Sequence, residues 1–144
     1  RAAQTAEIIR AVHQCPYRKM KEFREINMGQ WEGMRFEEVK KNFTAEYEMR
    51  GMDIVNYCPP GGESFAGVAK RVIPAFRTIT KNLNGSIIVV AHAGVNRIIL
   101  SHLLHGKLEN LLSIVQEYAC INIIHKIEDD YLVREINRER NKTG

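Results

Sequence analysis

The sequence of 144 residues contains no hydrophobic run that could cross a membrane. Its longest apolar stretch, Ile87–Ala91, falls far short of the roughly 18 residues that a spanning helix needs. The first residues also lack the basic segment followed by an apolar segment that is typical of a signal peptide. We therefore expect a soluble protein without a membrane partner.

Cysteine is scarce, and its spacing forms no pair. Cys15, Cys58 and Cys120 are an odd number without a Cys-x-x-Cys motif, so neither a disulfide framework nor a cysteine-based metal site is predicted. Free thiols are typical of reducing compartments, which favours the cytoplasm. His102 and His105 lie three positions apart on a predicted helix, but no carboxylate or cysteine completes a zinc set. We expect no metal and no cofactor.

Basic side chains are in small excess over acidic ones. The sequence has 21 basic and 17 acidic side chains, which give a net charge of +4. Such a mild and scattered excess does not indicate nucleic-acid binding, although it suits a small anionic substrate. The densest charged stretch, residues 134–142, mixes both signs, and residues 138–144 are predicted to be a solvated polar tail.

Hydrophobic periodicity and turn signals predict alternating helices and strands in one domain over residues 1–137. The run Ser86–Ala91 contains four consecutive β-branched residues, Ile87–Val90, which is typical of a buried strand in a parallel sheet. Strands that alternate with helices along the chain indicate an α/β fold. Its sheet is expected to be mostly parallel, with an antiparallel edge. The predicted helices cover residues 1–13, 35–49, 64–81 and 95–104, with a short helical piece at 108–115; the predicted strands cover 17–23, 86–91, 118–127 and 131–136.

The junction after Ser86–Ala91 carries the clearest chemical signal. His92-Ala93-Gly94 follows this strand and precedes a helix. In open α/β sheets, ligands bind beyond the carboxyl ends of the strands, and the N-terminus of a helix favours an anion such as phosphate. A histidine at this point could donate a hydrogen bond to a phosphoryl oxygen, or it could merely cap a carbonyl group. Position alone leaves both interpretations open.

Four segments in chain order extend this signal. They are RAAQTAE (Arg1–Glu7), FREINMGQWEG (Phe23–Gly33), PPGGES (Pro59–Ser64) and VVAHAGVNR (Val89–Arg97). Each is weak alone, but together they resemble the histidine phosphatase superfamily, whose members are phosphoglycerate-mutase-like. The resemblance spans residue 1 to about residue 137 and implies a three-layer α/β/α sandwich.

The resemblance also implies roles for individual residues. Arg1 and His92 would hold the phosphoryl group, with Gly94 beside them. Glu25 would be the acid that protonates the leaving oxygen and then takes a proton from water. Glu63 would meet the substrate or a water molecule. Arginine suits a phosphate pocket because its planar guanidinium donates two hydrogen bonds and stays charged.

Three neighbouring residues have expected roles in the structure. Ser64 is predicted to be the N-cap of the helix that runs to about residue 81. Arg71, on that helix, could support the loop of Glu25 or lie at the surface. Trp31 is expected to pack under that loop rather than to stack on a substrate.

The family's nucleophile is the histidine of an Arg-His-Gly segment, and this sequence contains no Arg-His-Gly. We expect that a strand–helix–strand unit of roughly 30 residues or more precedes residue 1 in a longer protein. Alternatively, the domain is this short and does not catalyse the reaction. Without the family's central strand, an apolar face and two sheet edges would be exposed.

The function implied by the resemblance is a phosphomonoesterase that acts on a small phosphorylated metabolite through a phosphohistidine. Only 67 positions separate Glu25 from His92 (92 − 25), whereas the cofactor-dependent mutases of the family carry longer insertions there. The residues of these motifs resemble those of α-ribazole phosphatases, and sugar-phosphate phosphatases have similar motifs. A phosphoglycerate-mutase-type phosphotransferase and a non-catalytic phosphate-binding domain remain alternatives. A homodimer is left open.

Overall fold

The structure, a computed structural model, describes residues 1–139. Helices make up most of its regular structure, and strands form one small sheet. The α-helices are Ala2–His13 (α1), Phe36–Asn42 (α2), Thr44–Met52 (α3), Phe65–Thr80 (α4) and Ala93–Leu103 (α5); short 3-10 turns lie at Lys21–Phe23, Gly29–Trp31 and Leu108–Ser113; the strands are Ile121–Ile127 (β1) and Asp130–Arg138 (β2). None of the helices in this range is both long and apolar enough to span a membrane.

Helices α4 and α5 form the core. Their apolar side chains recur at helical spacing, and Val68, Val72, Val95 and Ile98 have no exposed surface at all. The predicted cap of α4 is confirmed, because the Ser64 hydroxyl accepts a hydrogen bond from the N–H of Gly67 at 3.1 Å. The shared core fixes the two helices side by side.

Strands β1 and β2 form the predicted antiparallel hairpin, with Ile127 opposite Asp130 at the turn. The hairpin is anchored to α4 by Tyr131. Its ring lies 5.5 Å from that of Phe76, and its hydroxyl lies 2.5 Å from the hydroxyl of Thr80. The antiparallel edge predicted from the sequence is therefore confirmed.

The parallel part of the sheet is not formed within the described residues. Residues 86–91 are neither helical nor paired with a strand, and the sheet of this part of the chain contains only β1 and β2. Ile87 and Ile88 are 43% and 61% exposed. The prediction of a buried parallel strand is wrong here because a strand needs a hydrogen-bonded neighbour on the sheet, and none lies beside these residues.

Two other elements differ from the prediction. Residues 17–23 do not form a strand, and a 3-10 turn at Lys21–Phe23 buries the Phe23 ring instead. The single helix predicted over 35–49 is divided into α2 and α3 at Phe43, whose backbone leaves the helical region. The Phe43 ring packs 6.2 Å from the ring of Trp31, so tertiary contact accounts for the break.

The predicted domain boundary at residue 137 falls inside β2, which continues to Arg138. Most of the predicted polar tail, residues 140–144, lies outside the described residues.

Candidate functional site

The N-terminus of α5 is the centre of the candidate site. His92 is its N-cap residue, with extended backbone (φ −129°, ψ 163°), and its carbonyl accepts the first helical hydrogen bond from Asn96 at 2.8 Å. The imidazole makes no capping hydrogen bond. It is half-buried, and no hydrogen bond among residues 1–139 engages it. The geometry therefore leaves the ring available and does not support a role as a carbonyl cap.

The carboxylate of Glu25 lies at this same helix end. Its Oε2 accepts a hydrogen bond from the N–H of Gly94 at 3.2 Å, and its Oε1 accepts one from the N–H of Ile26 at 3.0 Å. A helix N-terminus offers free N–H groups and a partial positive charge, so a carboxylate occupies the place where a phosphate would also be favoured. The structure thus places the Glu25 carboxylate at Gly94, in the first turn of the helix whose N-cap is His92. The catalytic and phosphate-binding roles of Glu25, His92 and Gly94 stay predictions.

Gly94 permits this approach. A Cβ added there would lie 2.5 Å from Glu25 Oε1, well inside van der Waals contact. Any residue with a Cβ at this position would collide with the carboxylate of Glu25, and glycine avoids the collision.

Glu63 is surrounded by donors from three residues. Its carboxylate accepts hydrogen bonds from Arg71 Nε and Nη2 at 3.0 Å each, from Arg24 Nη2 at 3.1 Å and from the N–H of Asn27 at 3.0 Å. Partial burial raises the pKa of Glu63, but the hydrogen bonds from Arg71 and Asn27, with the charges of Arg71 and Arg24, outweigh it and lower that pKa. A phosphate-binding role for Glu63 stays a prediction, and these contacts favour a role in holding the neighbouring loop.

Arg71, on α4, joins Glu63 to the loop that carries Glu25. Its guanidinium donates to the carbonyl groups of Glu22 at 2.5 Å, Arg24 at 2.9 Å and Glu25 at 3.3 Å. The sequence left open whether Arg71 supports this loop or lies at the surface. The structure shows that it supports the loop.

The two glycine-rich segments pack directly on each other. The N–H of Gln30 donates to the carbonyl of Pro60 at 3.0 Å, and the N–H of Glu63 donates to the carbonyl of Asn27 at 2.8 Å. Gly29 has φ +57°, and a Cβ there would collide with the carbonyl of Pro60. The two segments are therefore one structural unit beside the site.

Trp31 supports this unit from inside. It is 3% exposed and stacks on Tyr57 with 6.0 Å between ring centroids. The prediction that it packs under the loop of Glu25 rather than on a substrate agrees with this burial. Its indole Nε1 has no hydrogen-bond partner among residues 1–139.

Arg1 is not brought to this site by any contact in the described residues. It is the exposed N-cap of α1, a helix without a buried residue. No hydrogen bond or ion pair joins it to Glu25 or His92, and its role in phosphate binding stays a prediction. Clusters of three or more histidine, cysteine, aspartate or glutamate side chains that could hold a metal are absent from residues 1–139.

Arg50 is a residue that the sequence analysis missed. It lies at the end of α3 with its guanidinium carbon 5.9 Å from the centroid of the Phe65 ring. That ring in turn lies 3.5 Å from the point where a Cβ of Gly94 would be. Burial lowers the pKa of Arg50, and no carboxylate of residues 1–139 forms an ion pair with it. Its surroundings depend on how α3 packs, and no sequence motif signalled this.

Comparisons with known proteins place the chain in a family. The family model described as histidine phosphatase superfamily (branch 1) matches residues 1–139. A 6-phosphofructo-2-kinase/fructose-2,6-bisphosphatase of Aquarana catesbeiana is 31% identical over an alignment of 149 residues, and the alignment covers 99% of this chain and 30% of the relative. The chain therefore spans less than a third of the length of that relative.

Solved structures share the fold. YhfR of Bacillus stearothermophilus has a TM-score of 0.85 at 24% identity, with 97% of this chain and 70% of that chain covered. The alpha-ribazole phosphatase of Shigella flexneri has a TM-score of 0.83 at 22% identity, with 94% and 68% covered. These likenesses confirm the predicted α/β fold class.

Proposed function

We propose, on the premise that the chain belongs to branch 1 of the histidine phosphatase superfamily, that it forms most of the pocket of a phosphomonoesterase. The substrate would be a small phosphorylated metabolite, and the reaction would pass through a phosphohistidine. The observation that carries the proposal is the carboxylate of Glu25 on the N–H of Gly94 at the N-terminus of α5, the helix whose N-cap is His92.

The first step would transfer the phosphoryl group to a nucleophilic histidine. A nitrogen–phosphorus bond forms while the bond from phosphorus to the ester oxygen breaks, and the Glu25 carboxyl gives its proton to the leaving oxygen. In the second step, water attacks the phosphohistidine, Glu25 takes a proton from that water, and the nitrogen–phosphorus bond breaks. The same carboxyl group thus acts first as an acid and then as a base.

His92, Arg1 and the N–H of Gly94 would hold the phosphoryl oxygens. Phosphoryl transfer requires mainly positioning and charge stabilisation, which hydrogen-bond donors at a helix N-terminus supply. A phosphoryl oxygen would compete with Glu25 for the N–H of Gly94, so phosphate binding would release the carboxyl toward the leaving group. We propose that neither a metal nor a cofactor takes part.

The proposed reaction needs the nucleophilic histidine of an Arg-His-Gly segment, which these 144 residues do not contain. The proposed reaction therefore belongs to a protein that also contains such a segment. A non-catalytic phosphate-binding domain is the alternative if no such segment accompanies the chain. A bisphosphate-primed phosphotransferase of the phosphoglycerate mutase type is the other alternative.

Arg50 bears on the substrate. A half-buried guanidinium without an ion-pair partner next to a phosphate site favours a second anionic group on the ligand. The relative from Aquarana catesbeiana is named for a bisphosphatase activity, which fits this reasoning. We propose a sugar phosphate with a second anionic group, while α-ribazole phosphate stays a candidate. We further propose a cytoplasmic location. Homodimer formation is left open.

Hydrolysis of p-nitrophenyl phosphate by the full-length protein in EDTA tests the function. His92→Ala should lower kcat/KM by about 100-fold or more, because an electrostatic stabiliser of the transition state is lost. The control is His125→Ala, which alters an exposed histidine on β1. Turnover that EDTA abolishes, or equal effects of the two variants, would contradict the proposal.

A further inference from the structure

Arg71 uses every hydrogen-bond donor that it has within the protein. A guanidinium carries five N–H groups. Nε and Nη2 each donate to Glu63, Nη2 also donates to the carbonyl of Glu25, and Nη1 donates to the carbonyls of Glu22 and Arg24. No donor is left for a substrate, so the side chain is committed to holding protein groups.

Glu63 is saturated in the same way. A carboxylate has about four acceptor positions, and each Glu63 oxygen accepts two hydrogen bonds. Arg24 and Arg71 donate to Oε1, and Asn27 and Arg71 donate to Oε2. A phosphate beside this carboxylate would also meet charge of its own sign.

The pair acts on the one loop that carries Glu25. Residues 24–28 have no helix or strand of their own, so hydrogen bonds to the backbone must come from elsewhere. Arg71 donates to the carbonyls of Arg24 and Glu25, and Glu63 accepts from the N–H of Asn27. The backbone is therefore held by hydrogen bonds on both sides of Glu25. The backbone of Glu25 is therefore fixed, and its carboxylate is directed at Gly94.

We propose that Arg71 and Glu63 form a positioning device for the carboxyl of Glu25. This inference rests on the proposed function, in which Glu25 is the acid. Neither residue touches the substrate. They act through the loop, and a misplacement of the acid by about 1 Å can cost on the order of 100-fold in rate.

The dependence of rate on the leaving group separates positioning from general damage. p-Nitrophenolate leaves as a stable anion and needs little protonation, whereas an alkoxide needs the acid. Arg71→Ala should lower kcat/KM for an alkyl phosphate by about 100-fold, with a loss at least tenfold smaller for p-nitrophenyl phosphate. Glu25→Gln should show the same pattern. Equal losses for both substrates would overturn the inference.

Two milder variants and one control accompany this test. Arg71→Lys keeps the charge but cannot donate the paired hydrogen bonds to Glu63, so its rates should resemble those of Arg71→Ala. Wild-type rates in the lysine variant would count against the inference. Glu63→Gln should also give the unequal loss. Lys70→Ala alters the neighbouring exposed cation on α4 and should change neither rate.

A measurement without turnover keeps the inference separate from the proposed function. Hydrogen exchange should show faster exchange of the N–H groups of Ile26 and Gly94 in Arg71→Lys and Glu63→Gln, because both N–H groups donate to Glu25. Lys70→Ala should leave both rates unchanged. A wild-type protein that hydrolyses neither substrate would end the proposed function, whereas unchanged exchange in both variants would end the positioning role.

Discussion

The Oε2 atom of Glu25 and the backbone nitrogen of Gly94 lie 3.2 Å apart, although 69 positions of sequence separate the residues. The contact joins an irregular loop to the first turn of a buried helix. It depends on the absence of a side chain at Gly94, since a Cβ there would come within 2.5 Å of the other carboxylate oxygen. One missing methyl group thus permits the geometry on which the proposed acid depends.

Gly94→Ala should therefore damage the site more than the fold. The added methyl group would displace the carboxylate of Glu25, and we expect kcat/KM for an alkyl phosphate to fall by about 100-fold. Overpacking should lower the free energy of unfolding by about 1–3 kcal/mol. Steady-state kinetics and urea unfolding measure the two effects.

Gly51→Ala is the matched control, because Gly51 lies in α3 with nothing within 4 Å of an added Cβ. It should leave activity unchanged and keep or slightly raise stability, since alanine favours the helix. An active Gly94→Ala protein would contradict the assigned role of the Glu25–Gly94 contact.

Truncation of two isoleucines should change the free energy of unfolding by very different amounts. Ile98 is fully buried between α4 and α5, whereas Ile88 is 61% exposed. Ile98→Ala should lower the free energy of unfolding of this chain by about 2–5 kcal/mol, because a cavity forms in the core. Ile88→Ala should change it by less than about 0.5 kcal/mol. Urea unfolding of the two variants measures this, and equal losses would show that residues 86–91 are buried.

Features that depend on neighbouring residues could be predicted from the sequence. Ser64 precedes the apolar stripe of α4 at the position of a cap, and a short polar turn, Glu128-Asp129 in the structure, separates the two strand segments. Both features follow from local backbone and side-chain preferences. The placement of His92 at the N-terminus of α5 follows similarly from the chain order of apolar run, short turn and helix.

Features that depend on distant partners could not be predicted. Whether residues 86–91 pair in a sheet depends on a neighbouring strand, which the composition of the segment does not specify. The break at Phe43 depends on the position of Trp31. Arg71 and Glu63, which form paired hydrogen bonds, are only 8 positions apart. The backbone carbonyls that Arg71 also binds lie up to 49 positions away, so the role of the pair in holding the loop of Glu25 could not be predicted.

Arg50 should determine how well a second anionic group is recognised. Arg50→Gln should lower kcat/KM for a sugar bisphosphate by about 10- to 100-fold, because a charge-assisted hydrogen bond contributes about 1.5–3 kcal/mol. Hydrolysis of p-nitrophenyl phosphate, which has no second anionic group, should change by less than about twofold. Lys41→Gln, at an exposed cation on α2, is the control. Equal losses for both substrates would contradict the assignment of Arg50 to the substrate.

The stability of the fold at acid pH should depend on Glu63. Its pKa is lower in the folded protein than the ordinary value of 4.5, in spite of partial burial, because Arg71, Asn27 and Arg24 stabilise the carboxylate. The unfolded chain therefore binds the proton more readily. The stabilisation is fully present above the unfolded pKa and is lost as the pH falls through the folded pKa.

Glu63→Gln should remove that dependence. At pH 7 the variant should be less stable than wild type by about 2 kcal/mol, which is typical of hydrogen bonds to a charged group. The difference should shrink as the pH falls below the ordinary glutamate pKa, because wild type then loses the same charge. Urea unfolding between pH 7 and pH 3 follows both proteins, with Glu48→Gln as a control at an exposed glutamate of α3. Parallel curves for wild type and Glu63→Gln over this range would show that the ionised form of Glu63 does not hold the loop in place.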